Sequence, residues 1–159
     1  MTHPTPAPGE RILAWLNRAI TATEEAARAA AATDPAPWTA ATGTEPTNDH
    51  DHAAGSGLLL NAADEPLWDC EGSGHLCMTA AASVHAALHD PKAVLRRCTA
   101  DRKLIALHHN DGFECPVCAG EPWVDEDSEG NGEWIRSSVN APCPTLVALA
   151  EGYGWTGEA

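Results

Sequence analysis

Near the start of the chain, Ile12, Leu13, Leu16, Ala19 and Ile20 recur at three- and four-residue steps, with Trp15 beside them. That period puts them on one helical face and predicts a helix from Gly9 to Ala32. Glu24 and Arg28 stand four apart within it, close enough for opposite charges to meet. The alanines after Ala26 favour helix but bury little surface. "TDPAPW", Thr33 to Trp38, ends the helix, because its prolines cannot continue one. Further on, Leu58 to Asn61 and Pro66 to Cys70 read as two short strands around an Ala-Ala-Asp-Glu turn, giving a small hairpin.

Helical spacing returns from about Thr79 to His89. "HDP" then forces a restart. Asp90 suits an N-cap and Pro91 the first helical position, so a second helix runs to about His109. On its wheel Val94, Cys98 and Ile105 share a face, flanked by Leu95, His108 and His109. Lys92, Arg96 and Lys103 fall opposite, towards solvent. Asp101 interrupts the apolar side. "EPWV" and "EWIRSSV" around "DEDSEGNG" predict a second hairpin with an acidic tip. "PCPTLVALA" predicts a short helix with Pro144 near its first position. The fold class is therefore α+β, mainly α: an N-terminal helix, a small β-hairpin, a helix pair broken at HDP, and a zinc-ribbon-like hairpin with a short helix at the C-terminus.

Length and composition refine this outline. The 159 residues, 43% of them hydrophobic, suit one domain over 1–159. Residues 1–8 read as a flexible Pro-rich arm and 42–57 as a flexible polar loop. The six tryptophans are the expected core anchors. The start carries no basic stretch followed by an apolar run, so no signal peptide is expected. No apolar run nears the roughly 20 residues of a membrane helix. A cytoplasmic location is expected, where thiols stay reduced and clustered cysteines bind metal more often than they form disulfides.

The formal net charge is -14. Between Ala29 and Pro91 there are nine acids and no Lys or Arg, and from Asp111 onward ten acids against Arg136 alone. Lys92, Arg96, Arg97, Arg102 and Lys103 concentrate the bases on one helix. So negative a chain repels phosphate backbones, which favours a protein partner over nucleic acid.

The chemistry lies in "HHNDGFECPVCAG", residues 108 to 120. A Cys-x-x-Cys turn lets two sulfurs reach one tetrahedral ion. Cys115 and Cys118 are followed by a hairpin and then by Cys143, where a zinc ribbon would place a second pair. One further ligand must come from elsewhere. His108, at the end of the preceding helix, is the preferred donor, with His109, Cys98, His75 and Cys77 as other candidates. The expected metal site is Cys115, Cys118, Cys143 and His108, holding a structural zinc within a zinc-binding subregion over 108–150. A dithiol redox pair is the competing reading, although Gly120 and Pro122 oppose the helix that such motifs open. Cys70, His75 and Cys77 form a looser cluster. The "HDH" of His50 to His52 reads as solvated loop. The acidic run from Asp125 resembles a calcium loop, but Arg136 stands where a bidentate Glu is required.

Enzyme signatures fail. An HNH nuclease needs a further His on a following helix, and none occurs after His109. A zinc deaminase needs H-x-E and P-C-x-x-C, but here Pro116 lies inside the cysteine pair. The chain has no G-x-S-x-G, P-loop or G-x-G-x-x-G.

Four stretches resemble the actinobacterial and actinophage family called domain of unknown function 6221. They are "TATEEAARAA" running into "PAPW", "HDPKAVLRRCTADRKLIALH", the cysteine pair, and "PCPTLVALA". The resemblance implies a mainly α fold with a small hairpin and carries no activity. Asp101 stands where the family has Lys, and "EGYGWTGEA" replaces the family's usual ending. The function expected from all this is a small zinc-stabilised protein-interaction module. The alternatives are a thiol-dependent redox protein using the CxxC pair and a nucleic-acid-associated regulator using the basic helix.

Overall fold

A computed structural model describes residues 8–42, 57–67, 78–108, 115–126, 130–135, 137 and 139–157. Among these residues there are helices α1 (Pro8–Thr33), α2 (Ala80–Leu88), α3 (Pro91–His108) and α4 (Pro144–Gly152). The strands are β1 (Thr39–Thr42), β2 (Gly57–Leu60), β3 (Trp123–Glu126) and β4 (Gly132–Ile135). Each hairpin is a separate antiparallel two-stranded sheet, β1 with β2 and β3 with β4. The mainly helical α+β class is as the periodicity predicts. The chain divides into two compact units, Ala22–Cys98 and the combination of Met1–Thr21 with Thr99–Ala159.

In the Ala22–Cys98 unit, α1 ends where expected. Asp34 N–H still bonds Ala30 carbonyl at 2.9 Å, and Trp38 Nε1 donates to Asp34 carbonyl at 3.0 Å, closing the turn over the Pro-rich stop. Glu24 and Arg28 form the anticipated pair at 3.3 Å. The first hairpin departs from expectation. The partner of β2 is β1, with Thr39 opposite Leu60 and Ala41 opposite Leu58. The anticipated second strand from Pro66 begins with a single bridge, Leu60 to Pro66; its remainder, residues 68–70, lies outside the described residues.

The intervening turn is held by Asn61. Its buried side chain accepts from Ala63 N–H at 2.8 Å and Glu65 N–H at 3.1 Å, and it donates to Glu65 Oε2 at 3.2 Å. This is the local backbone mimicry that suits Asn to turns. Asp64 takes the left-handed conformation, φ 59.

Helix α2 packs on both strands of that sheet. Gly57 permits the approach. A Cβ there would stand 2.8 Å from Ala80 Cα and would meet the buried Ser83 hydroxyl. Thr79 caps α2 by accepting from Ala82 N–H at 3.2 Å. The restart at HDP forms as the sequence predicts. Asp90 is buried, accepts from Ala93 N–H as an N-cap, and also takes Trp38 N–H at 3.4 Å. A single carboxylate thus caps α3 and ties down the segment that follows α1.

In the other unit the buried residues include Ile12, Leu16, Ile20, Ile105, Leu146 and Ala150. The first three lie at i, i+4 and i+8 of α1, the face that periodicity selected. Asp101 is explained: its Oδ2 accepts the Tyr153 hydroxyl at 2.6 Å, so the carboxylate interrupting the apolar stripe has a dedicated donor. Arg102 reaches α1, donating to Asn17 Oδ1 at 3.4 Å and Thr21 Oγ1 at 3.0 Å. Lys92, Arg96 and Lys103 are exposed, as the wheel requires.

The tryptophans are not the core anchors that composition suggested. No described tryptophan is buried, and Trp123 and Trp134 are 47% and 71% exposed. Trp68 lies outside the described residues. Trp15 and Trp155 meet edge to face at 5.3 Å and stay half-buried. So large a side chain is seldom enclosed completely. The enclosed volume is filled by aliphatic side chains and cysteines instead. The arm over 1–8 and the loop over 42–57 fall almost wholly outside the described residues.

Candidate metal centre

Three cysteines and one histidine converge in the unit that contains α4. His108 is the last residue of α3. Its Nδ1 lies 3.4 Å from Cys115 Sγ, 3.4 Å from Cys118 Sγ and 3.6 Å from Cys143 Sγ. Among the described residues these four form a group able to hold a metal ion, with all donor atoms within 4.8 Å of one another. His108, Cys115 and Cys143 are buried and Cys118 is half-buried.

Each donor is placed by a local rule. Residues 116–118 make a tight turn, in which Cys118 N–H approaches Cys115 Sγ at 3.5 Å and Ala119 N–H bonds Cys115 carbonyl at 3.2 Å. Hydrogen bonds continue the β3–β4 ladder back to this turn. Gly120 N–H meets Ser137 carbonyl at 3.1 Å, and Cys115 N–H meets Val139 carbonyl at 2.8 Å. The hairpin therefore carries the chain out and returns it beside its own knuckle, so that Cys143 arrives next to Cys115. Cys143 takes the N-cap position of α4, and Pro144 opens the helix, which aims the sulfur back into the cluster.

The electrostatics separate two of the thiols. Burial alone would raise the Cys115 pKa. The backbone N–H groups of Cys118 and Val117, with the His108 and Cys143 side chains, outweigh it and lower the value from 9.0 to about 6. Burial pushes the Cys143 thiol up, against the opposing Leu146 N–H; the Cys115 and Cys118 sulfurs reinforce the rise. Without a metal, Cys115 is the sulfur that gives up its proton more readily than an ordinary thiol, and Cys143 holds its proton more tightly.

A depressed thiol pKa contributes stability in full above the unfolded value of 9.0. That contribution is lost as the pH falls through about 6. Thiolate absorbance near 240 nm in the metal-free protein should accordingly rise with a first midpoint close to pH 6, and Cys115→Ser should remove that step. A first thiolate appearing only around pH 9 would contradict the arrangement.

Of the sequence-predicted donors, His108, Cys115, Cys118 and Cys143 come together. Cys98 is buried on α3 and is not among them. His109, Cys70, His75, Cys77 and the "HDH" triplet lie outside the described residues. Asp125 sits in β3 opposite Glu133, within a strand rather than in a loop. One neighbour of the cluster was not foreseen. The Thr145 hydroxyl lies 3.6 Å from Cys118 Sγ. Its signal in the sequence is faint: a hydroxyl in the first turn of the helix that Cys143 caps.

No described helix is long and apolar enough to cross a membrane. No curated protein and no solved structure matches the chain. A family model described as a family of unknown function, DUF6221, matches residues 9–154, a span that includes α1, α3, the four-donor cluster and α4. The chain belongs to that family.

Proposed function

We propose that the chain is a protein-interaction module whose C-terminal region is pinned by one structural zinc ion. The observation that carries this is the trio of distances from His108 Nδ1 to the sulfurs, 3.4, 3.4 and 3.6 Å. A tetrahedral zinc with Zn–S of about 2.3 Å and Zn–N of about 2.0–2.1 Å sets nitrogen and sulfur roughly 3.6 Å apart. The four side chains thus surround a point at which zinc fits with little movement. Thiolate donors select zinc over hard cations. Three thiolates and an imidazole fill the coordination shell, leaving no position for substrate, so the role is structural. His108, Cys115, Cys118 and Cys143 would hold the ion, which would supply folding free energy. A reducing cytoplasm suits this site, because thiolate ligands persist there.

The test is metal content of the untagged protein by elemental mass spectrometry, paired with thiol counting. About one zinc per chain is expected, with three thiols protected until a chelator is added. Absence of metal with every thiol reactive would remove the proposal.

The lowered Cys115 pKa favours a second reading, a thiol-dependent redox protein using Cys115 and Cys118. Against it, Cys115 is only 1% exposed and its sulfur shares one nitrogen with two others. A redox protein would cycle its dithiol reversibly and be indifferent to zinc.

A further inference from the structure

We propose that the β3–β4 hairpin is a docking surface for α3 of a second copy of this chain. This rests on the reading of the protein as an interaction module, but not on the identity of its metal. Val124 and Trp134 are register partners, so they share one face of the hairpin. They are 41% and 71% exposed. Glu126, opposite Gly132, shares that face and is exposed as well, whereas Asp125 and Glu133 pair with each other on the other face. The described hairpin residues include no Lys or Arg. This surface is both apolar and acidic, and its complement is apolar and basic.

Helix α3 displays such a complement. Ala100, Lys103, Leu104 and Leu107 follow the i, i+3, i+4, i+7 spacing that makes one helical stripe, and all four are exposed. Leu107 is exposed more than half. The helix thus presents a second apolar stripe, edged with positive charge, besides the one bearing buried Cys98 and Ile105. Hairpin and stripe are both open to solvent, so neither covers the other within one chain. Two copies related by a two-fold axis would make the contact twice, hairpin on helix and helix on hairpin, and the assembly would close. Exposed aromatics beside unpaired strand edges are typical of surfaces that await a partner.

The test is the solution mass of the full chain by light scattering across a concentration series, at about 50 mM and about 500 mM salt. A concentration-dependent dimer is expected, weaker at the higher salt. Trp134→Ser and Lys103→Glu should each weaken it by about tenfold or more. Both positions are solvent-exposed, so circular dichroism and metal content should match the parent. Mass of a single chain up to several hundred micromolar at low salt would overturn the proposal. So would a dimer that neither substitution affects. Metal content measured on the same samples keeps the two readings apart: a monomer carrying its full metal defeats only the second-copy surface.

Discussion

Cys118→Ser is expected to abolish metal binding and to destabilise the C-terminal region in one step. The magnitude follows from the size of the metal term. A structural zinc contributes roughly 10–16 kcal/mol of apparent binding free energy, whereas a whole domain is stable by only about 5–15 kcal/mol. The residues around the cluster have little to replace it. β3 and β4 are almost wholly exposed, and α4 has nine residues, of which Leu146 and Ala150 are buried. Cys143→Ser and His108→Ala should behave like Cys118→Ser. Cys98→Ser and His109→Ala should keep full metal. Metal content and thermal melts of these five variants check the assignment residue by residue. Full zinc in Cys118→Ser would show that the ligand set is wrong, and loss of zinc in His109→Ala with retention in His108→Ala would move the fourth ligand by one position.

The second large effect is expected far from any sulfur. Leu16 is fully enclosed at 0% exposure, between Ile12 and Ile20 on the buried face of α1. Leu16→Ala removes apolar surface and leaves a cavity, a combination that costs about 3–5 kcal/mol at rigid core sites. For a chain of this size that corresponds to a melting point lower by roughly 10 °C. Trp134→Ser makes an instructive contrast. It deletes a far larger side chain from a position 71% exposed, so folding stability should change by no more than about 0.5 kcal/mol. Denaturant or thermal melts followed by circular dichroism distinguish the two. Equal losses for Leu16→Ala and Trp134→Ser would mean that the hairpin tryptophan is packed against something in the folded chain.

The four-donor cluster and the buried core share side chains. The largest fully buried side chains include three cysteines, Cys98, Cys115 and Cys143. Two of them belong to the donor cluster. The buried volume near α4 is therefore organised around sulfur rather than around aromatic rings. A metal bound there would act as the centre of a core that hydrophobic burial alone makes thin.

Much of this was legible in the residues. The helical period of Ile12, Leu16 and Ile20 determined α1 and its buried face. Asp90 and Pro91 determined where α3 begins, because capping and proline geometry act within a few residues. The spacing of Cys115, Cys118 and Cys143, with a hairpin between, determined three donors. It did so because a knuckle and a hairpin are local structures whose chain paths are nearly set by their lengths.

What the tertiary structure decided is of another kind. "TAAT" in β1 has no strand pattern of its own; it is a strand because β2 and α2 lie against it. His108 meets the sulfurs of Cys115, Cys118 and Cys143 across 7 to 35 residues of chain, and Arg102 of the same helix bonds Asn17 and Thr21 of α1, placements no local pattern encodes. Asp101 is tolerated because Tyr153, far along the chain, supplies a hydroxyl. Trp123 and Trp134 are exposed because burial depends on what arrives to cover a side chain, and composition says only that it would gain by being covered. Local chemistry and short-range spacing are written in neighbouring residues, whereas partners distant in sequence are chosen only when the chain packs.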